Sequence, residues 1–284
     1  MMAREPKQNA AAVLLFLALF AGGCSFTPRT EVAARLAKSG GLRHAEIIAG
    51  PFVLTAYVRV AQKGQPADVY IEGDGHAWLG RHTPSLDPTP DNPVGLELAA
   101  ADAAPNVIYI ARPCQYSRMA APVACPVEYW THARFSSIVI KAMNDELDIL
   151  KRRYGFGKVN LVGYSGGGAV AVLLTARRRD VASLRTVAGD VDSAVMGEIH
   201  GLSPLTGSLA PEDAARQIAG IPQIHFIGGQ DTVITPAIYQ GYKEMSGAGA
   251  CIENRIVPDM SHNGDWARVW PRLLKEPFPV CGKK

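Results

Sequence analysis

The sequence predicts an α/β domain: a mostly parallel, twisted sheet with helices on both faces and a small inserted cap. Three observations predict it. Short runs rich in β-branched and aromatic residues alternate with longer stretches of helical periodicity. Several of these runs end in the residues of tight turns, Gly73-Asp74-Gly75, Arg112-Pro113 and Gly228-Gly229 among them. The chain has 284 residues, 48% of them hydrophobic, enough for one large buried core.

At the N-terminus, Arg4 and Lys7 precede an apolar run from Ala10 to Ala21. The run is too short to span a bilayer comfortably, since a spanning helix needs about 20 residues. The small residues Ala21-Gly22-Gly23 then stand directly before Cys24. This is the layout of a secretory signal peptide. It also resembles a bacterial lipoprotein signal, which implies that Cys24 is lipidated and becomes the mature N-terminus. Residues 1–23 are therefore expected to be a lipoprotein-type signal peptide. Residues 24–45 are expected to be a polar tether with a short helix near Glu31–Lys38, and residues 46–284 the folded domain. The expected location is outside the cytoplasm, lipid-anchored at the cell envelope.

From there the pattern alternates. Strands are predicted at 52–60, 68–72, 106–111, 159–163, 184–188, 224–228 and 255–257, where Val, Ile, Tyr and Phe concentrate. A long helix is predicted over 131–154, because Ile140, Met143, Leu147 and Leu150 recur at near-helical spacing before Gly155. A small-residue helix is predicted behind Ser165, and a last one near Trp266–Leu274. In a parallel sheet of this kind chemistry gathers beyond the carboxyl ends of the strands. Functional motifs should therefore stand just after predicted strands.

Gly163-Tyr164-Ser165-Gly166-Gly167 does. It fits the pattern G-x-S-x-G, in which a serine sits in a strained strand-to-helix turn. Gly163 and Gly167 are small so that strand and helix can approach, and the turn lifts the hydroxyl clear of the backbone. The pattern alone is weakly diagnostic, but a preceding strand and a following helix are the context it requires. No Lys follows and no G-x-G-x-x-G precedes, which argues against a phosphate loop.

A serine hydroxyl needs a base to take its proton. Of seven histidines, only His262 lies downstream of a plausible acid and near the C-terminus. His225 lies inside a predicted strand, and His200 precedes the acid and suits a pocket rim. The acid is placed at Asp231, directly after a strand in Gly228-Gly229-Gln230-Asp231. Asp190 and Asp192 are rivals after the preceding strand. Asp259 is so close to His262 that it is expected to fix the loop.

Ser165 in its elbow, Asp231 after the penultimate strand and His262 after the last resemble the α/β-hydrolase superfamily over residues 50 to the end. Tyr70 to Gly75, with Arg112-Pro113-Cys114-Gln115-Tyr116 after the next strand, resembles a group of bacterial α/β-hydrolase lipoproteins. The resemblance implies a Ser165–His262–Asp231 catalytic triad. It also implies an oxyanion hole built from the backbone N–H groups of Gly166 and Asp74, although Glu72-Gly73 stands where the superfamily often has His-Gly. Carboxylates beside an oxyanion oppose catalysis unless neutralised. Arg112 is therefore expected to pair with Glu72 or Asp74 and hold the Gly73 loop in shape.

Removing Cys24 as a lipid site leaves an even number of cysteines, as suits an oxidising compartment. Cys114–Cys125 and Cys251–Cys281 are the favoured pairs, although the sequence permits three pairings. The net charge of +3 points to no nucleic-acid surface. No cofactor and no metal are expected, and the chain is expected to be a monomer. The leading functional expectation is ester hydrolysis of a small-molecule or acyl ester through an acyl-enzyme. Residues 196–218 are expected to line a small or medium acyl pocket. A peptidase or amidase with the same triad, and a non-catalytic envelope lipoprotein, are the alternatives.

Overall fold

The computed structural model describes residues 27–117 and 125–281. The predicted signal peptide and Cys24 lie outside the described residues. Among the described residues, eight strands form one sheet: β1 Arg43–Ala49, β2 Phe52–Val60, β3 Ala67–Ile71, β4 Asn106–Ile110, β5 Val159–Tyr164, β6 Val181–Val187, β7 Gln223–Gly228 and β8 Ile252–Val257. Their order is β1-β2-β4-β3-β5-β6-β7-β8. β2 runs antiparallel to both of its neighbours, and the strands from β4 to β8 are mutually parallel.

Among the described residues, seven α-helices cover the sheet: α1 Arg29–Ser39, α2 Val94–Ala101, α3 Ser137–Tyr154, α4 Gly166–Arg177, α5 Ser193–His200, α6 Pro236–Ser246 and α7 Trp266–Leu273. Successive strand residues point to opposite faces and so build two cores. Val69, Ile71 and Leu161 pack with α3, α4 and α6. Tyr70, Val162 and Tyr164 pack with α1, α2 and α7. Strands β3 and β5 are buried almost throughout, as a parallel strand covered on both faces should be.

Two expectations are corrected. The supposed tether is part of the fold from Arg29 onward: Ala33 and Ala37 of α1 are buried, and β1 begins at Arg43. The long helix starts at Ser137, not Thr131. The preceding residues form turns closed by Thr131 N–H to Glu128 O and Ser136 N–H to Ala133 O, at 3.2 and 2.9 Å. Those turns place Arg134 against Asp74. The structure joins Cys114 to Cys125 and Cys251 to Cys281. Among the described residues, no helix is long and apolar enough to cross a membrane.

Glu146 of α3 is fully buried, and neither carboxyl oxygen has a hydrogen-bond partner. Burial alone pushes its pKa well above the usual carboxylate value. A raised folded-state pKa has a definite sign. The contribution is neutral below the unfolded pKa, and stability is lost as pH rises from there toward the folded pKa, at about 1.4 kcal/mol per pH unit. Glu146→Gln should therefore gain on the wild type as pH rises above the unfolded carboxylate value, by at most about 1.4 kcal/mol per pH unit in urea unfolding. Parallel pH profiles for the two proteins would contradict this.

Candidate active site

Ser165 sits between β5 and α4 with φ 50° and ψ −123°. A non-glycine residue in this region carries strain of order 1–3 kcal/mol, which the surroundings must sustain. Here they do: the Ser165 N–H donates to Val187 O at 3.1 Å. The Ser165 carbonyl accepts from Gly168 N and Asp190 N at 2.8 and 2.9 Å. The flanking glycines are sterically required. A Cβ on Gly163 would strike the Gly167 carbonyl, and one on Gly167 would strike the carbonyl oxygens of Ile71 and Glu72. β3, β5 and α4 meet there with no room for a side chain.

Asp231 and His262 arrive on the loops after β7 and β8. These loops touch: a Cβ on Gly228 would meet the Met260 carbonyl, and one on Gly229 the Pro258 carbonyl. One Asp231 oxygen accepts the N–H groups of Val233 and Ile234, both at 2.8 Å. The other lies 2.9 Å from His262 Nδ1. With Nδ1–H pledged to the carboxylate, Nε2 is the acceptor nitrogen. It lies 3.1 Å from Ser165 Oγ. The Asp231 side chain is wholly buried, and that of His262 is 14% exposed.

The His262 loop is fixed by residues not anticipated. Its carbonyl accepts from Tyr164 OH at 3.1 Å and from Trp266 Nε1 at 3.0 Å. The imidazole also rests against the Tyr164 ring, with centroids 5.6 Å apart. Asp259, expected to fix this loop, is exposed and has no hydrogen-bond partner among the described residues. Tyr164 was visible as the variable residue of the elbow; nothing in the sequence assigned it this work. Of the rejected candidates, His225 is buried in β7 with Thr186 Oγ1 2.8 Å from its Nδ1. Asp192 caps α5 through Val195 N–H. His200 Nε2 lies 2.7 Å from the Val233 carbonyl, beside the Asp231 turn.

The loop after β3 lies across from Ser165. Gly166 is the first residue of α4, so its N–H has no intrahelical acceptor. Asp74 packs directly over it, since a Cβ on Gly166 would collide with the Asp74 carboxylate. Glu72 is turned away. Its oxygens accept the N–H groups of Gly73, Gly95 and Leu96 and the hydroxyl of Tyr109, at 2.9 to 3.3 Å. It thus clamps the loop to the start of α2. Burial pushes the Glu72 carboxyl up to about 7 even against these four donors.

Arg112 pairs with Asp74, not Glu72, at 3.1 Å, and donates to Arg134 O at 2.5 Å. Arg134, which the sequence did not single out, is the second cation on Asp74 at 3.0 Å. Both guanidiniums lie against the Phe135 ring. Gln115 ties the Arg112 N–H to the Gly73 carbonyl, with bonds of 2.9 Å on each side. Glu72 is therefore clamped away from Ser165 and Asp74 is neutralised. Arg112→Ala should cost about 3 kcal/mol of stability, because one partner of a buried pair is removed. It should also lower turnover, as measured by chemical denaturation beside steady-state kinetics. If neither changes, Arg112 does not hold the loop.

Ser165 and His262 open into a polar cleft of about 390 Å³, walled also by Asp74, His76, Asp91 and Asn263. The segment expected to line the substrate pocket surrounds a different cavity of about 570 Å³, with Met196, Leu202, Leu205, Arg134 and Asp190 in its wall. Ser165 is not among its lining residues. Asp74 belongs to the cleft and Arg134 to the cavity, so their ion pair stands between the two. Burial raises the Asp190 carboxyl to about 7.

No protein-family model matches the chain, and no curated protein matches it. Solved structures do match. An esterase of Pyrococcus furiosus superposes with a TM-score of 0.55 at 14% identity, covering 82% of this chain and 90% of that one. Est1E from Butyrivibrio proteoclasticus gives 0.55 at 13% identity, over 82% and 96%. An alpha-beta serine hydrolase homologue from Coxiella burnetii gives 0.54 at 13% identity, over 81% and 93%. With the strand order, the elbow at Ser165 and the positions of Asp231 and His262, these likenesses place the chain in the α/β-hydrolase fold.

Proposed function

We propose that the chain is a serine hydrolase that cleaves carboxylic esters through an acyl-enzyme on Ser165. The observation that carries the reading is the continuous relay from Ser165 Oγ to His262 Nε2 and from His262 Nδ1 to Asp231. Esterases and a serine hydrolase homologue among the structural neighbours support it. In the first half-reaction His262 takes the Ser165 proton as Oγ attacks the ester carbonyl. The same proton then passes to the leaving alkoxide. In the second half-reaction His262 activates water, which attacks the acyl-enzyme and releases the acid. Asp231 holds the imidazole in its working tautomer and stabilises the imidazolium.

The N–H groups of Gly166 and Asp74 are assigned to the oxyanion. One such donor is worth roughly 2.7–4 kcal/mol in the transition state. The paired Arg112 and Arg134 keep the Asp74 carboxylate from opposing that charge. We further assign residues 1–23 to a lipoprotein-type signal peptide and Cys24 to lipid attachment, and take the chain to work outside the cytoplasm. The two disulfides support an oxidising compartment.

The test is labelling with a fluorophosphonate probe, wild type beside Ser165→Ala, followed by turnover of an ester series and of the matching amides. The wild type alone should take the label and should prefer the esters. Equal labelling of both proteins removes Ser165 from its role, and amide turnover above ester turnover reassigns the bond.

A further inference from the structure

Directly after His76, which stands in the wall of the Ser165 cleft, the chain carries a run of exposed apolar residues. Residues 77–85 form a small hairpin, closed by Leu79 N–H to Thr83 O and Ser85 N–H to Ala77 O, both 2.9 Å. It carries Trp78 and Leu79 outward, 43% and 63% exposed, and Leu86 follows at 86%. Arg81 at its tip donates to His200 O at 3.4 Å, which brings the exposed Ile199 and Leu202 of the cap alongside. The same loop supplies His76 and Asp91 to the wall of the cleft. Scattered exposed apolar residues need no explanation, but a cluster on one rim marks a contact surface.

The chain itself says what covers it. Arg29, at the start of α1, is bound to this loop, pairing with Asp91 at 2.6 Å and donating to the Asp87 carbonyl at 3.4 Å. The start of α1 is therefore tied to the loop that follows the hairpin. Cys24 cannot lie more than roughly 18 Å from Arg29 however the intervening chain runs. A lipid on Cys24 thus holds this loop within reach of the bilayer.

We propose that the hairpin 77–85, with Leu86 and the end of α5, is a membrane-docking surface that seats the mouth of the Ser165 cleft against a lipid bilayer. The inference rests on the reading of Cys24 as a lipid anchor. Trp78, Leu79 and Leu86 enter the interface, where an aromatic ring and aliphatic chains are both accommodated, and Arg81 meets the headgroup phosphates. Esters carried by the membrane then reach Ser165 without crossing bulk water.

The tryptophans make the test direct. Of four, Trp130, Trp266 and Trp270 are buried, and Trp78 alone is substantially exposed. The full-length chain is mixed with phosphatidylcholine–phosphatidylglycerol vesicles containing lipids brominated high in the acyl chains. The expected result is quenching of tryptophan emission that Trp78→Phe abolishes. Leu79→Ser/Leu86→Ser should weaken the quenching at least about fivefold, from the apolar surface removed. Chain that sediments with the vesicles while its emission stays unquenched is held by its anchor alone, and that outcome overturns the proposal. Intact mass reports the lipid on Cys24 and hydrolysis of a water-soluble ester reports Ser165, so failure of either underlying reading is seen separately.

Discussion

Ser165→Ala is expected to lower ester turnover by roughly a millionfold while the fold survives. The hydroxyl makes a single hydrogen bond, to His262, and the burial around the elbow is backbone packing that an alanine methyl does not disturb. Alanine is as strained as serine at φ 50°, so the unfolding midpoint should stay within the scatter of a surface substitution, about 0.5 kcal/mol. Ser165→Gly separates the two effects. It is equally inactive, but it relieves the left-handed backbone and should be more stable than Ser165→Ala. Strain that persists only for the sake of one hydroxyl is the mark of a functional position. Kinetics and denaturation on the same three proteins check both halves.

Asp231→Asn is expected to cost roughly 10⁴-fold in turnover with little loss of binding. The reason lies in the pairing around the side chain. Two backbone N–H groups, from Val233 and Ile234, bind one carboxylate oxygen, so an asparagine must set its own oxygen there. Its NH₂ then faces His262 Nδ1 and donates to it. The imidazole is driven to the other tautomer, with the proton on Nε2, where it no longer accepts from Ser165. Asp231→Ala frees the ring to choose and should retain more activity than Asp231→Asn. Equal loss in the two variants, neither of which carries a charge, would show that charge and not tautomer is what Asp231 supplies.

Much of this was legible in one sequence because the signals are local. Seven strands were readable as β-rich runs ended by turn residues, and the elbow is a contiguous motif set between a strand and a helix. What escaped was of two kinds. β1 has only Ala45, Ile47 and Ala49 on its buried face, with Ile48 outward and exposed, so its alternation is too weak to distinguish from a linker. α2 opens directly after Pro93 and is apolar nearly all round, so it displayed no clear stripe. α6 is short and begins at Pro236, and its apolar stripe is no longer than Ile238, Tyr239 and Tyr242. The charged architecture around Asp74 is long-range. Arg134 lies far from Asp74 in sequence and belongs to a turn once read as helix. The choice of Asp74 over Glu72 for Arg112 was settled by the start of α2, whose free N–H groups claim Glu72. The relation of residues 196–218 to Ser165 was illegible for the same reason: a segment's position along the chain does not reveal that the Arg134–Asp74 pair stands between its cavity and the Ser165 cleft.

The proposed chemistry requires a covalent bond that forms transiently at one oxygen, Ser165 Oγ. Acid-quenching the enzyme during turnover of an activated ester, digesting it and weighing the peptides tests this directly. The predicted result is the acyl group on the peptide containing Ser165, in amounts that match the pre-steady-state burst and are absent from Ser165→Ala. An acyl group carried on a different residue, or undiminished turnover by the alanine variant, would contradict it.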